Sequence, residues 1–371
     1  MNVNFYNFKG VSQNKKNEFN NINNFNQKQN IMKKSILLLA VAASFAACTQ
    51  NEEINDAISQ QEIKFDQVLN KTTKAEIVDK DALATEGGFV VYGGITDLPT
   101  DNSKLTFNEV NVYSDGNEGW TYTTKRYWNK TATYNFYAIA PYDPVNGSYS
   151  FANTGMFSIT GAKSALATES DDFLIDRDGD TGISGAAPKT VTFDFHHIMA
   201  KVAFFVKKSE DITEEITIKS LKMTGWNAGL GNFTQKLTAT PTTLEHSEWN
   251  FQTTEDGEAS VISTDKVLTS TADSANCSTY IMVPQTIEYT AANGETAATG
   301  LTFNIEYTIT YEDDFVETVN YKTVVASNQV WGTDSYTTYT LTIGATAIDF
   351  DVTSICGFCN DGGDNKVTVQ P

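Results

Sequence analysis

Three groups of residues have the composition of a reactive site. The first is an acidic run that places five carboxylates within ten positions: Asp171, Asp172, Asp176, Asp178 and Asp180. Calcium binds about six to eight oxygens, and an EF-hand loop needs glycine at its sixth position and glutamate at its twelfth. Counted from Asp176, those positions hold Thr181 and Ala187. The run therefore predicts a solvated loop between domains and no metal site.

The second group is the adjacent pair His196 and His197, which directly follows a strand-like stretch. Neighbouring side chains of a strand point to opposite faces of the sheet. The two imidazoles therefore cannot bind one metal ion together unless the backbone turns there. We predict a structural role for these histidines.

The third group is the pair Cys356 and Cys359, which has CxxC spacing. Neither a helix start nor a βαβ unit accompanies it, so a local disulfide that closes a loop is favoured over redox catalysis or zinc binding. Cys277 is then left without a partner in the chain. No H-E-x-x-H, G-x-S-x-G or G-x-x-x-x-G-K-[ST] pattern occurs. We predict no catalytic residue, no metal, no cofactor and no enzymatic activity.

A fourth cysteine, Cys48, ends a short apolar run that follows Lys33 and Lys34. The run, Ser35 to Ala47, is too short for a membrane span, which needs roughly 20 apolar residues, and has the form of a secretory signal. Because small residues directly precede Cys48, the segment resembles a bacterial lipoprotein signal, in which the cysteine thiol is acylated. An ordinary signal with an incidental cysteine is the alternative. The acylated Cys48 would tether the protein to outer-membrane lipid, and the acidic residues that follow it resemble a surface-export tag.

Composition and charge limit the function further. Residues 1–31 are rich in Asn, Lys and Gln, which predicts either an over-extended reading frame or a disordered extension. Residues 32–47 are the predicted signal and residues 48–59 a lipidated linker. Residues 1–47 carry six lysines and one glutamate, so the formal charge of residues 48–371 falls by five from the −20 of the whole chain, to −25. Such a charge repels nucleic acid, and no nucleic-acid partner is predicted.

Apolar residues alternate with polar ones through much of the chain after the signal. The clearest stretch runs from Leu301 to Tyr311, and Phe315 to Val325 is predicted to return antiparallel to it. Many short strands of this kind, separated by Gly, Asn and Asp clusters, predict an all-β fold of antiparallel sandwiches. The polar, glycine-rich stretch from Asp176 to Lys189 shows no strand pattern, so we divide the chain there into sandwiches of residues 60–187 and 188–371.

Several segments together resemble the fimbrillin family, whose members are two-domain subunits of the type V pili of Bacteroidales. The resemblance rests on the signal that ends at Cys48 and on eight segments in a fixed order: Thr73–Ala75, Phe89–Gly93, Tyr127–Trp128, Tyr134–Pro141, Val191–His196, Ala200–Val202, Tyr280–Pro284 and Tyr336–Ile343. It implies two tandem transthyretin-like β-sandwich domains. It also implies a surface-exposed lipoprotein of the outer membrane that becomes part of a fimbrium.

The resemblance further implies a mode of assembly. A trypsin-like protease cuts near the N-terminus and frees the first strand, and a strand of another pilus subunit fills the groove by β-augmentation. The matching basic positions are Lys71 and Lys74, which otherwise are exposed loop residues. At the other end, Ile348, Phe350 and Val352 alternate with polar residues. They form either a donor strand or the final strand of a sheet.

These expectations lead to one principal function and two alternatives. The principal one is a shaft or tip subunit of a pilus that serves adhesion to a host or bacterial surface ligand. A surface lipoprotein that binds glycan is the second, with exposed tryptophans as stacking platforms drawn from Trp120, Trp128, Trp226, Trp249 and Trp331. A hydrolase whose carboxylates meet in a deep cleft is the third.

Overall fold

A computed structural model describes residues 61–69, 80–95, 105–117, 119–152, 156–176, 180–235, 248–273, 277–344, 348–356 and 365–369. These residues form 25 strands and one helix, α1 (Lys80–Thr85). The prediction of an all-β fold is therefore confirmed. Within these ranges no helix has the length and apolar character that a membrane crossing requires.

The strands of the first half of the chain are β1 (Phe65–Leu69), β2 (Phe89–Ile95), β3 (Phe107–Ser114), β4 (Trp120–Thr121), β5 (Thr133–Ala140), β6 (Ser148–Ala152), β7 (Met156–Ala162), β8 (Ala165–Leu166), β9 (Leu174–Asp176), β10 (Asp180–Ser184) and β11 (Val191–His197). Those of the second half are β12 (Ala200–Lys208), β13 (Glu215–Asn227), β14 (Gly231–Thr234), β15 (Glu248–Phe251), β16 (Asp256–Ile262), β17 (Lys266–Val267), β18 (Tyr280–Met282), β19 (Gln285–Ile287), β20 (Thr302–Thr310), β21 (Val316–Val324), β22 (Gln329–Trp331), β23 (Ser335–Ile343), β24 (Ile348–Cys356) and β25 (Asn365–Val369).

An eight-stranded sheet contains the N-terminal strand. Its order is β1-β11-β9-β5-β2-β3-β4, and β10 pairs with β5. β1 runs parallel to β11, with Phe65 opposite Val191 and Leu69 opposite Phe195. Gly93 marks a close approach inside this sheet, because a Cβ atom there would lie 2.2 Å from the carbonyl oxygen of Asn135. This contact explains why the Phe89–Gly93 segment ends in glycine.

Two larger sheets consist mostly of strands from the second half of the chain. One is six-stranded, in the order β25-β24-β23-β12-β18-β8, and the other is five-stranded, in the order β16-β13-β20-β21 with β17 on β13. β20 and β21 pair antiparallel over nine residues, as their alternation predicts. A four-stranded sheet, β15-β14-β7-β6, and the pair β19-β22 complete the strands described.

Buried apolar side chains group into three clusters. An N-terminal core draws on residues between Ile63 and Phe195, and a C-terminal core on residues between Ala200 and Val352. A middle core combines residues of both halves, including Ile198 and Met199 from the connection between β11 and β12. The division between the two end cores thus falls within residues 196–199.

The strand pairings bear on the predicted domains. β11 lies after residue 187, yet it pairs with β1 and β9, which precede that residue. In the second half, β12 runs parallel to β23 much as β1 runs parallel to β11. By their contacts, residues Gln61–Pro371 group as one compact unit. The division at residues 187 and 188 into two transthyretin-like domains stays a prediction.

The predicted solvated loop around the acidic run is wrong where the structure describes it. Asp171, Asp172 and Asp176 are buried, and β10 pairs with β5 inside the stretch that lacked a strand pattern. Asp171 accepts hydrogen bonds from the backbone N–H groups of Val145 and Asn146. Burial raises the pKa of Asp171, although these hydrogen bonds lower it. A carboxylate can be buried when such partners replace its water.

Candidate functional site

The N-terminal segment, residues 61–69, alternates between the interior and solvent. Ile63, Phe65 and Leu69 are 0%, 4% and 8% exposed, whereas Val68 on the opposite face is 48% exposed. This period of two is that of a strand with one face in a core. The segment therefore contributes three apolar side chains to the N-terminal core.

Phe65 lies at the centre of an aromatic cage, which consists of Phe107, Tyr122, Phe136 and Phe193. Its ring centroid lies 5.0 Å from Phe107, 5.7 Å from Tyr122, and 5.6 Å from both Phe136 and Phe193. Edge-to-face and offset contacts at these distances stabilise aromatic pairs beyond the area that they bury. The cage is thus shaped to hold a ring.

The backbone of the N-terminal segment forms hydrogen bonds on two sides. On one side β1 pairs with β11 along its full length. On the other, Ile63 N–H donates to the carbonyl of Arg126 (2.9 Å), and Trp128 N–H donates to the carbonyl of Gln61 (3.0 Å). The segment therefore joins the chain around Tyr127 to β11, and its removal would free backbone groups on both sides.

Side chains add two further contacts to this segment. The Tyr122 hydroxyl donates to the carbonyl of Ile63 at 2.8 Å, and burial raises the pKa of Tyr122. Lys125 forms an ion pair with Glu62 at 2.8 Å, and both side chains are partly exposed. Such a pair adds at most about 1 kcal/mol. It borders a surface cleft of about 290 Å³ that Lys64 also lines.

The sequence predictions for maturation fall beside this segment. Cys48, Lys71 and Lys74 lie outside the described residues. β1 ends at Leu69, two positions before Lys71. Cleavage after either lysine would separate the whole N-terminal segment from the rest of the chain.

The family resemblance implied a removable first strand before Lys71, but it did not identify the residues that receive this strand. Phe107 and Phe136 lie on β3 and β5, and Tyr122 follows β4. Phe107 alternates with the buried Leu105, which is a signal for a strand but not for a neighbour of residue 65. The parallel pairing with β11 spans more than 120 positions of sequence, and a local pattern carries no information on such a pairing.

The C-terminal strand candidate lies within a sheet. β24 is flanked by β23 and β25, and it pairs antiparallel with both. Ile348 and Val352 are buried in the C-terminal core, and Phe350 lies between them in β24. Within one subunit β24 is thus an inner strand of its sheet, followed by β25. Both alternatives for Ile348, Phe350 and Val352, a donor strand or the final strand of a sheet, stay predictions.

The cysteines have different environments. Cys356 lies in β24 opposite Ser335, and Cys359 lies outside the described residues, so their disulfide stays a prediction. Cys277 is a half-buried free thiol. Burial raises its pKa to about 11, although Lys266 lowers it. The thiol is poorly suited to nucleophilic chemistry at neutral pH.

Both histidines are buried next to carboxylates. His197 Nδ1 lies 2.8 Å from Asp172 Oδ1, and His196 Nε2 lies 3.2 Å from Asp194 Oδ2. In the part of the chain that the structure describes, no group of three or more His, Cys, Asp or Glu side chains could hold a metal ion. His197 therefore satisfies a buried carboxylate, whereas the carboxylate beside His196 is 48% exposed.

The glycan alternative requires exposed tryptophans. All five tryptophans lie within the described ranges, and Trp128, Trp226 and Trp331 are buried. Trp120 and Trp249 are partly buried and pack against the N-terminal and middle cores. The five indoles are thus distributed over three cores and do not form a stacking surface.

Comparison with known proteins assigns the family. A family model described as fimbrillin-like matches residues 73–355. The chain belongs to the fimbrillin-like family. This match confirms the resemblance drawn from the sequence, and it covers β2 to β23 and most of β24.

One solved structure shows the same fold. A fimbrial protein from Bacteroides vulgatus has a TM-score of 0.50 and 19% identity, over 80% of this fimbrillin-like chain and 99% of its own. A candidate cell adhesion protein from Bacteroides uniformis has a TM-score of 0.43 and 12% identity, over 83% and 100%. A fimbrial assembly protein from Parabacteroides distasonis has a TM-score of 0.36 and 12% identity, over 83% and 100%. No curated protein matches the chain.

Proposed function

We propose that this protein is a structural or tip subunit of a surface pilus that serves adhesion. In this proposal the precursor is exported as a lipoprotein acylated at Cys48 and is cut after Lys71 or Lys74. The subunit then assembles with other subunits by strand exchange. Membership of the fimbrillin-like family supports the coarser role as a pilus subunit.

One observation carries the strand-exchange part of the proposal. The N-terminal segment is bound on both sides, and its apolar face fills the N-terminal core. Each fully buried side chain of this size contributes roughly 1.5 to 3 kcal/mol, so Ile63, Phe65 and Leu69 together contribute about 5 to 9 kcal/mol. A typical domain is stable by only about 5 to 15 kcal/mol. Excision would leave a groove whose occupancy decides the stability of the domain.

A subunit in this state has a strong tendency to bind another strand. The open groove would offer the unpaired edge of β11 beside the aromatic cage. An extended peptide can form backbone hydrogen bonds with β11 and fill the cage with a side chain at the same time. Strand addition removes the exposed edge and buries the rings. Processing by a protease would therefore turn a stable monomer into an assembling subunit. An enzymatic role receives no support from the described residues, and we propose none.

The experiment that tests strand exchange uses protein that begins after Cys48. Limited trypsin treatment should produce ladders that resist boiling in detergent, and filaments that are visible by electron microscopy. A matched variant with Lys71→Gln and Lys74→Gln should remain monomeric under the same treatment, because every other lysine is kept. An excess of a peptide that spans residues 61–71 should suppress the ladders, and the same peptide with Phe65→Ala should not. Cleavage after Lys71 without any ladder would contradict the proposal.

The lipid anchor needs its own test. The full chain and its Cys48→Ser variant are each expressed in a Gram-negative host that is supplied with radioactive palmitate. The full chain should become labelled, and the Cys48→Ser variant should not. Surface proteolysis of intact cells then reports whether the anchored protein faces outwards. Labelling of the Cys48→Ser variant would place the lipid elsewhere.

A further inference from the structure

A groove lies on the outer face of the five-stranded sheet, opposite the C-terminal core. Phe303, Ile305 and Tyr307 of β20 are buried in that core, so the alternate residues of this strand face outwards. One depression of about 240 Å³ lies over β20, between β13 and β21, and a second of about 510 Å³ lies where β13 ends. Lys322 lines both depressions. We call the two depressions together the sheet groove.

Strand register arranges the polar side chains of the smaller depression in two rows. Asn304 pairs with Lys222 of β13 on one side and with Lys322 of β21 on the other. Glu306 lies in the next outward row, beside Asn320. Neighbouring strands are about 4.8 Å apart, so the backbone positions of the two lysines lie about 10 Å apart. The sheet groove thus presents two cations, two amides and a carboxylate within reach of one ligand.

Lys322 has a different charge environment from the other lysines of this sheet. Those three are each paired with a carboxylate: Lys219 with Asp265, Lys222 with Glu258 and Lys266 with Asp273. Within the described ranges Lys322 forms neither an ion pair nor a hydrogen bond. The chain as a whole carries a formal charge of −20. A cation that has no carboxylate partner in so acidic a protein is suited to hold an anionic group of a ligand.

The larger depression has a rigid wall. Asn227 N–H donates to Gln285 Oε1 at 2.8 Å, and Gln285 Nε2 donates to the carbonyl of Asn227 at 3.1 Å. Gly225 packs closely against Gly300, because a Cβ atom at position 225 would lie 2.2 Å from the carbonyl oxygen of Gly300. All four residues line the depression. A wall held by such contacts loses little conformational entropy when a ligand binds.

Acidic residues limit which ligand fits the larger depression. Glu255, Asp256 and Glu288 line it, and Lys322 lies where it meets the smaller one. Carboxylates accept hydrogen bonds from hydroxyl groups, and they repel a ligand that is negatively charged along its length. The larger depression therefore favours neutral, hydroxyl-rich groups, whereas the row that contains Lys322 favours one anionic group.

We propose that the sheet groove binds an oligosaccharide that contains one acidic sugar, such as a sialic or uronic acid. Lys322 binds the carboxylate of this sugar, Asn304 and Glu306 bind its hydroxyl groups, and the neutral sugars extend towards Asn227 and Gln285. The inference rests on the proposed adhesive role and adds the class of ligand and its site. The sheet groove belongs to a sheet that does not contain β1, so adhesion and strand exchange use different sheets.

Hydrogen bonds, and not ring stacking, carry recognition in this groove. Trp226 lines the larger depression but is only 7% exposed. A Cβ atom at Gly257 would lie 2.3 Å from its indole ring, so the backbone of Gly257 covers part of that ring. The binding mode therefore differs from a platform of exposed tryptophans.

Matched pairs of glycans test the ligand. The full chain is purified in detergent, and titration calorimetry measures its affinity for sialyllactose and lactose, and for a glucuronic-acid disaccharide and its methyl ester. At least one acidic glycan should bind, and its neutral counterpart should bind about 10-fold more weakly or worse, since a hydrogen bond to a charged group contributes about this factor. Lys322→Gln should cause a similar loss. Lys219→Gln should not, because it removes the same charge from the same sheet outside the groove.

Three results would overturn the proposal: equal affinity for the acidic and neutral members of each pair, equal losses in the two lysine variants, or no binding of either acidic glycan. Heparin, which is charged along its length, should bind no better than the preferred acidic glycan. Tighter binding of heparin would contradict a ligand with a single charge. Circular dichroism of both variants establishes that they fold before affinities are compared.

The filament assay separates this inference from the proposed function. After trypsin treatment, the Lys322→Gln variant should form filaments as the parent protein does, because the substitution lies outside the N-terminal core. Filaments without glycan binding in the parent would remove the site and leave the pilus role. Absence of filaments in the cut parent would contradict the pilus role instead, whether or not glycan binds.

Discussion

Replacement of Phe65 by alanine measures how strongly the N-terminal segment is held. Phe65 is 4% exposed and has four ring neighbours within 5.7 Å. Deletion of a buried phenylalanine side chain costs about 3 to 5 kcal/mol, which combines lost burial with the cavity that remains. The dense cage favours the upper half of this range, because its rings come from several strands that cannot all move inwards.

Urea denaturation of the uncut protein is the assay. Phe65→Ala should lower the free energy of unfolding by about 4 to 5 kcal/mol. Val68→Ala is the matched control, since it lies on the same strand with 48% of its surface exposed and should cost less than about 1 kcal/mol. The same contrast should appear in the rate at which trypsin releases the segment. Equal losses for the two variants would refute the view that the segment fills a core, and strand exchange would lose its physical basis.

Three further predictions concern other contacts. Tyr122→Phe removes the hydroxyl that donates to the N-terminal segment and should cost about 0.5 to 1.5 kcal/mol in urea denaturation; an increase in stability would contradict that bond. His197→Leu leaves the buried Asp172 carboxylate without its imidazole and should cost about 3 to 5 kcal/mol by the same assay, and a neutral effect would show that the pair is not needed. Burial raises the pKa of Cys277 from 9.0 to about 11. At pH 8 the thiolate fraction of Cys277 should therefore be about 100-fold lower in folded than in denatured protein. The rate at which a thiol reagent modifies Cys277, measured in a variant without the other cysteines, should fall by the same factor. Because the unfolded thiol loses its proton first, Cys277 should lower stability as pH rises from 9 to 11, and this loss should be absent in Cys277→Ala.

The strands were largely predictable from sequence because their signal is local. β20 and β21 read as two alternating runs joined by an acidic turn, and they pair over nine residues. Burial of Phe303, Ile305 and Tyr307 follows the same alternation. A half-buried sheet imposes this pattern on each strand by itself, so no knowledge of the partner strand is needed.

The polar cluster was not predictable because its stabilising partners are distant in sequence. Five carboxylates in ten residues read as a solvated loop, yet Asp172 is buried beside His197, 25 residues away. Asp171 binds backbone groups 25 and 26 residues before it. The number of acidic residues indicates that burial of the segment would be costly. It does not indicate which distant groups form the hydrogen bonds that offset this cost.

The charge of the protein constrains how subunits can associate. Residues 48–371 carry a formal charge of −25, so identical subunits repel each other at long range, most strongly at low ionic strength. In the proposed assembly, association would therefore come from contacts that salt does not weaken. Burial of an apolar strand in a core and completion of a backbone ladder are contacts of this kind. The same long-range repulsion would keep uncut precursors apart, because their grooves are already filled. Raised salt should therefore speed the assembly of cut subunits and leave uncut protein monomeric, which is the opposite of an assembly held by surface ion pairs.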